Sequence, residues 1–291
     1  MPEPFRILVA SDGSPSSRAA LDTTLAFPWP AASRARGVVA LGGMGEGFGG
    51  AARAALVRNL HANVESLREA LRRRWPEADA VALHEAPAEA LLSEARRFRA
   101  RVVALGWRGH GTFRRLLAGS VSRRMVARAP CSVLVARKAS PSVRRLVVGF
   151  DGSPPSRSAI GLLEQLGPPR GNRLFLVQVL APLLQPSLAR VPAATRAAMR
   201  EQVSRMETRR RRQAIRGLEA AAASLRAHGW RVSVQLRSGA PLAELLDAAK
   251  EHAADVLVLG AIGVSRMERV LLGSVAAGAL DRSPVPVLIA R

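Results

Sequence analysis

The pattern Gly-x2-Gly-x9-Gly-Ser occurs twice in this chain, each time directly after an apolar run. The first copy is Gly106, Gly109, Gly119 and Ser120, after R-V-V-A-L, and the second is Gly260, Gly263, Gly273 and Ser274, after D-V-L-V-L. A helix-length interval then leads to a closing strand, P-C-S-V-L-V-A-R at 130–137 and P-V-P-V-L-I-A-R at 284–291. Upstream, I-L-V-A-S-D-G-S at 7–14 is echoed by L-V-V-G-F-D-G-S at 146–153. The copies are offset by 139 residues at Asp12 and Asp151 but by 154 at Gly106 and Gly260, so the second carries about 15 more in its first half. A duplicated unit constrains the fold more than any local propensity does.

The alternation of strands and helices is the same in both halves. Valine- and leucine-rich runs such as 101–106 and 132–136 read as strands buried on both faces, which requires a parallel sheet with helices above and below. Between them, apolar residues at helical spacing, as in Leu60, Val64, Leu67 and Leu71, predict amphipathic helices. The predicted strands include 5–11, 37–41 and 79–84 in the first half, and 145–150, 173–180, 230–236 and 286–290 in the second. The extra length falls in a proline-bearing loop, 181–192, and a long helix over 193–228. Two domains, 1–139 and 143–291, each with a five-stranded parallel sheet, are expected to pair through their closing strands, because an exposed apolar edge there would invite aggregation.

A chain of 291 residues, 48% apolar, can bury two ordinary cores. No apolar run approaches the ~18–20 residues of a membrane span. No charged-then-apolar leader precedes the first strand, and a single cysteine, Cys131, suits a reducing compartment, so the expected location is the cytoplasm. The net charge of +22 is almost all arginine, with Lys138 and Lys250 the only lysines. Aromatics are 4% of the chain, without tyrosine, so the stacking platforms of single-strand binders are missing. Any nucleic-acid affinity is expected to be weak, indifferent to sequence and steeply salt-dependent.

The glycines have a chemical reading. In open parallel sheets, ligands bind beyond the carboxyl ends of the strands at a topological switch point. Gly106 and Gly109 would let the backbone turn off the fourth strand and approach a ligand. Gly119–Ser120 opens a helix whose first amides attract an anion, and the serine would cap that helix or contact a phosphate.

These residues resemble the universal stress protein family over essentially the whole chain: D-G-S at 12–14 and 151–153, both glycine motifs, and both closing strands. The resemblance implies two tandem open-sheet domains, Rossmann-like and akin to the adenine nucleotide alpha hydrolases. Members with this glycine motif are similar to ATP binders. By resemblance, Asp12 and Asp151 lie beside the nucleoside, and Leu41 and Val179 contact adenine. Gly106, Gly109, Gly119, Ser120 and Ser122, with Gly260, Gly263, Gly273 and Ser274, surround ribose and phosphates. A Mg ion would be held through the phosphates. The implied role is a non-enzymatic ATP-binding stress protein built as an internal pseudo-dimer, with a homodimer of the whole chain a further option.

Two departures stand out: Trp107 occupies the first loop where Ala261 stands in the second, and Ser122 is matched by Ala276. Trp107 would cover a ligand, crowd it out, or pack against a neighbour. Gly45, Gly47 and Gly50 mimic a dinucleotide fingerprint, but they follow the second strand rather than the first. No histidine repeats at a position that would activate the D-G-S serines, and the P-loop pattern is absent. The alternatives are a slow ATP hydrolase and a basic partner-binding module with nucleotide-empty sites.

Overall fold

A computed structural model describes residues 3–40, 50–108, 119–183, 193–261 and 272–291. In the first half the elements are β1 (Phe5–Ser11), α1 (Pro15–Ala26), β2 (Ser33–Ala40), α2 (Gly50–Arg72), β3 (Asp79–Leu83), α3 (Pro87–Arg97), β4 (Val102–Gly106), α4 (Ser120–Arg128) and β5 (Ser132–Ala136). The second half repeats them as β6 (Arg145–Gly149), α5 (Pro154–Glu164), β7 (Arg173–Leu180), α6 (Ala193–Ala227), β8 (Val232–Ser238), α7 (Pro241–Glu251), β9 (Val256–Gly260), α8 (Ser274–Arg282) and β10 (Val287–Ala290). Strand β2 begins four residues earlier than its apolar pattern predicts, because Ser33–Arg36 pair with β1 through backbone bonds that need no apolar side chain. For the same reason β8 is displaced toward its carboxyl end, where Arg237 and Ser238 pair with the end of β7.

All ten strands form one sheet in the order β3-β2-β1-β4-β5-β10-β9-β6-β7-β8. Within each half the pairing is parallel; at the centre β5 meets β10 antiparallel, with Leu134 opposite Leu288. The closing strands therefore pair as anticipated. Because that one seam is antiparallel, the carboxyl ends of the strands in the two halves face opposite edges of the sheet.

The length of the chain suggests two ordinary cores; among the described residues two large clusters are found, beside a small one of Ala19, Ala20 and Ala136, but not one in each half. One cluster covers one face of the whole sheet and joins α2 residues Leu60 and Leu71 to α6 residues Leu218 and Leu225, through Leu134 and Leu288. The other covers the opposite face and joins Met125 of α4 to Leu280 of α8, through Val133 and Ile289. Successive residues of each strand point to opposite faces, so β5 and β10 feed both clusters at once.

Arginines following the closing strands reinforce the seam reciprocally. Arg137, after β5, donates to the carbonyl of Asp281 (2.5 Å) at the last turn of α8. Arg291, after β10, donates to the carbonyls of Val126 (2.6 Å) and Ala127 (2.9 Å) at the last turn of α4. Each half thus caps the other half's last helix with a cation, where orphan carbonyls and the helix dipole favour one. Arg123 adds a two-oxygen contact to Asp281. The repeated Ala-Arg ending of both closing strands carried this signal in the sequence.

Cys131 is buried at the start of β5. Burial pushes its thiol up to about 12, against the opposing charges of Arg291 and Arg101. We expect no alkylation by iodoacetamide at pH 8 in the native protein and rapid alkylation in urea, since the thiolate is the nucleophile. Equal labelling rates in the two states would contradict this placement.

On the other half, His252 stacks flat on Phe175, with ring centroids 3.7 Å apart, and its Nε2 lies 2.7 Å from Gln235 Nε2. Arg237 holds the oxygen of Gln235 at 3.1 Å, which turns the Gln235 NH2 toward the imidazole. The ring must then accept, and so be neutral. Burial, followed by the positive charge of Arg237, pushes its pKa down, with Glu251 acting in the opposite direction. With the folded pKa below the ordinary value of about 6.5, the unfolded chain takes up the proton first. Stability should therefore fall as the pH drops below about 6.5. Urea melts from pH 5 to 7.5 should show a shallower dependence for His252→Gln, and identical slopes would remove His252 as the cause.

Candidate functional site

Strand β1 lies between β2 and β4, and the chain leaves it toward β2 but returns from β3 to β4 on its other side. β6 holds the same place between β7 and β9. Each half thus has a switch point beyond the carboxyl end of its first strand, where a crevice is expected in this architecture. Both D-G-S turns sit there.

Gly13 (φ +79) and Gly152 (φ +77) adopt the left-handed conformation, and the preceding aspartates close the turns. Asp12 Oδ1 accepts from the Ser14 amide at 3.0 Å, and Asp151 Oδ1 from the Ser153 amide at 3.0 Å. Such turns favour aspartate followed by glycine. Ser14 and Ser153 then cap α1 and α5, accepting from the amides of Ser17 (3.2 Å) and Ser156 (3.4 Å). Sequence reasoning missed the left-handed turns at Gly13 and Gly152 and the capping by the serines, although the repeated D-G-S triplet marked the place.

Gly106 and Gly260 have a packing cause beside the one the sequence suggested. A Cβ on Gly106 would lie 2.6 Å from the Ser17 amide nitrogen and 2.7 Å from the Ser16 carbonyl carbon; one on Gly260 would lie 2.6 Å from the carbonyl carbon of Pro155. These glycines let the first turn of the first helix rest on the end of the fourth strand. Their primary contact is with the protein's own backbone.

That contact ties the turn to the glycine loop. In the first half the hydroxyls of Ser14 (3.3 Å) and Ser16 both donate to the carbonyl of Arg108. The Gly119 amide donates to the Trp107 carbonyl at 2.9 Å, and the Gly273 amide to the Ala261 carbonyl at 2.8 Å. Gly119 and Gly273 are the N-caps of α4 and α8, without a side-chain cap bond, and Ser120 and Ser274 are exposed first residues of those helices. Of the two roles the sequence left open for these serines, a cap or a phosphate contact, capping is thus removed. Among the described residues no side-chain cap bond is made at either N-cap, and amides at a helix start are of the kind that favour an anion.

Ser122, read as a phosphate contact, is buried, and its hydroxyl donates toward the carbonyls of Trp107 (2.9 Å) and Gly119 (3.0 Å). Its helical position turns it inward, where it links Trp107 to Gly119. Ala276 replaces it in the second half and is also buried. Trp107 packs against neighbours: it is buried, with the Arg137 guanidinium 3.5 Å and the Arg108 guanidinium 4.0 Å from its ring centroid. It lines a small cavity at the seam with Val135 and Arg137 from its own half and Leu280, Ser283 and Val287 from the other. Burial, then the charge of Arg108, pushes the Arg137 guanidinium down, while Asp281 raises it.

Val179 is half-buried near the end of β7, paired in register with Arg237. Leu41, Gly109 and Gly263 lie outside the described residues, as do Gly45 and Gly47 of the glycine run. Among the described residues no cluster of His, Cys, Asp and Glu could hold a metal, and no helix is long and apolar enough to cross a membrane.

Comparison with known proteins agrees with this architecture. A universal stress protein from Archaeoglobus fulgidus superposes with a TM-score of 0.68 at 17% identity, covering 98% of this chain and 96% of its own. A universal stress protein of Mycobacterium tuberculosis is 28% identical over 204 residues, which is 66% of this chain and 62% of the relative's length. One from Thermus aquaticus is 44% identical over 62 residues, covering 21% of this chain and 45% of its own. The model of the universal stress protein family matches residues 5–137 and again 142–291, and the chain belongs to that family as a tandem two-domain member.

Proposed function

We propose that this protein binds adenine nucleotide, ATP in particular, without turning it over, and acts in a cytoplasmic stress response through the paired halves. One observation carries the reading: the same assembly is built twice. Each copy has a D-G-S turn at the switch point, a glycine that admits the neighbouring helix, and a following helix whose start is capped by glycine and opened by an exposed serine. In this reading the amides at the starts of α4 and α8, with the hydroxyls of Ser120 and Ser274, receive the phosphates. Asp12 and Asp151 shape the turn against which the nucleoside rests, with Leu41 and Val179 toward the base. The nucleotide would bring its own divalent ion, held through its phosphates. The two sites would open at opposite edges of the sheet.

The test is calorimetric titration of ATP. The wild-type protein should take up two equivalents, and Gly109→Val and Gly263→Val should each abolish binding in their own half, leaving one. Valine there would obstruct approach of the backbone to phosphate. Ser120→Ala and Ser274→Ala should change stability by less than about 0.5 kcal/mol, as exposed positions do, so any loss of affinity reports a phosphate contact. Two unchanged equivalents in both valine variants would refute the site. Phosphate release above buffer that disappears in Asp12→Asn or Asp151→Asn would replace binding by hydrolysis.

A further inference from the structure

The second half's additional length is concentrated in α6, at 35 residues against 23 for α2. Only the later part of α6 packs on the sheet. Ala214, Leu218, Ala222 and Leu225 are buried, and Ala214 is the first buried residue among those of the helix whose side chains are described. Before it, Arg200 to Gln213 is exposed apart from Val203 and Arg210, the latter reaching the carbonyl of Ala181 at 3.3 Å.

On this segment Arg205, Arg209, Arg212 and Arg216 follow at intervals of four, three and four residues and all are exposed. At 3.6 residues per turn they form one line roughly 16 Å long. That line lies opposite the face that Ala214, Leu218 and Leu225 turn to the sheet, so it points directly into solvent. Glu201 pairs with Arg205 at 2.6 Å at one end. Like charges three and four residues apart destabilise a helix, and this stretch has little packing to offset them. A polyanion outside the chain, bound along the row, would relieve that repulsion.

We propose that this stripe is a docking surface for the phosphate backbone of duplex nucleic acid. The charge is complementary, and a straight row of guanidiniums suits the evenly spaced phosphates of a duplex. An apolar partner, or insertion into a lipid surface, would need a continuous apolar face. The exposed apolar residues here, Met206 (50%) and Ile215 (47%), stand on opposite flanks of the helix instead. The contacts are to phosphate alone, so binding is indifferent to sequence.

The experiment measures binding of a 20-base-pair DNA duplex by fluorescence anisotropy between 25 and 200 mM salt. Replacing Arg205, Arg209, Arg212 and Arg216 together with glutamine, a good helix former, should make the slope of log affinity against log salt shallower by about 3.6, four contacts at about 0.9 each. The four-lysine version should keep the wild-type slope. A control set of exposed arginines on other elements, Arg58, Arg73, Arg96 and Arg128 to glutamine, should also leave it unchanged. Circular dichroism verifies that α6 stays helical. An unchanged slope in the glutamine variant, an equal change in the control set, or loss of binding in the lysine variant overturns the proposal. So does wild-type binding to polyglutamate as tight as to the duplex, which would make the partner an acidic protein surface.

Discussion

Gly260→Ala and Gly106→Ala should each lower stability by about 3 kcal/mol, the upper end of what overpacking costs. Their added methyls would meet backbone atoms of the first helix at 2.6 Å, and backbone cannot rotate aside as a side-chain tip can. The first turn of α1 or α5 would have to lift, loosening the cap bonds of Ser14 or Ser153 and, in the first half, the bonds to the Arg108 carbonyl. For a chain of this size unfolding in one transition, that corresponds to a fall in melting temperature of roughly 5 °C. Gly161→Ala supplies the contrast: it lies within α5 with nothing inside 4 Å of the added atom, so alanine should raise stability by up to about 1 kcal/mol. Calorimetric melting of the three variants decides the matter. A neutral result at Gly106 and Gly260 would show that these glycines are not packing requirements, and would return them to the ligand-contact role read from the sequence.

Leu134→Ala and Leu288→Ala should each cost about 2–5 kcal/mol, the range for fully buried leucines. The two side chains are register partners across the seam and neither is solvent-exposed. Because they share one cluster with residues of both halves, their effects should not add: the double variant should lose measurably less than the sum, with a coupling of about 0.5–3 kcal/mol. Both halves should unfold in one cooperative transition in every variant, since the two clusters run through the seam. Urea unfolding followed by far-ultraviolet circular dichroism, with Cys131 labelling as a reporter for the first half, tests this. Two separated transitions, with only the second half weakened by Leu288→Ala, would show that the halves are independent domains.

What was legible in the chain was what local repetition encodes. The doubled glycine motif and the doubled D-G-S identified the duplication and the family. The alternation of apolar strands with helices of 3.6-residue period placed nearly every element, and the boundaries of β5, β7 and α8 coincide with their sequence expectations. The placement of the two D-G-S turns at the switch points followed, because strand order in a parallel α/β unit obeys general rules of connection. Individual side-chain roles were not legible. Whether Gly106 serves a ligand or a neighbouring helix depends on a contact with Ser16 and Ser17, about 90 residues away. Whether Ser122 faces solvent or is buried depends on where the Trp107 carbonyl sits. That Trp107 packs against Arg137 required contact between residues 30 apart, and that Arg137 and Arg291 cap the last helix of the opposite half required contact between segments about 150 residues apart. Local periodicity reports the face on which a residue lies. Which partner meets that face is set by long-range packing, and only the tertiary structure decided that the two halves share their cores and that their strands run in opposite directions across the seam.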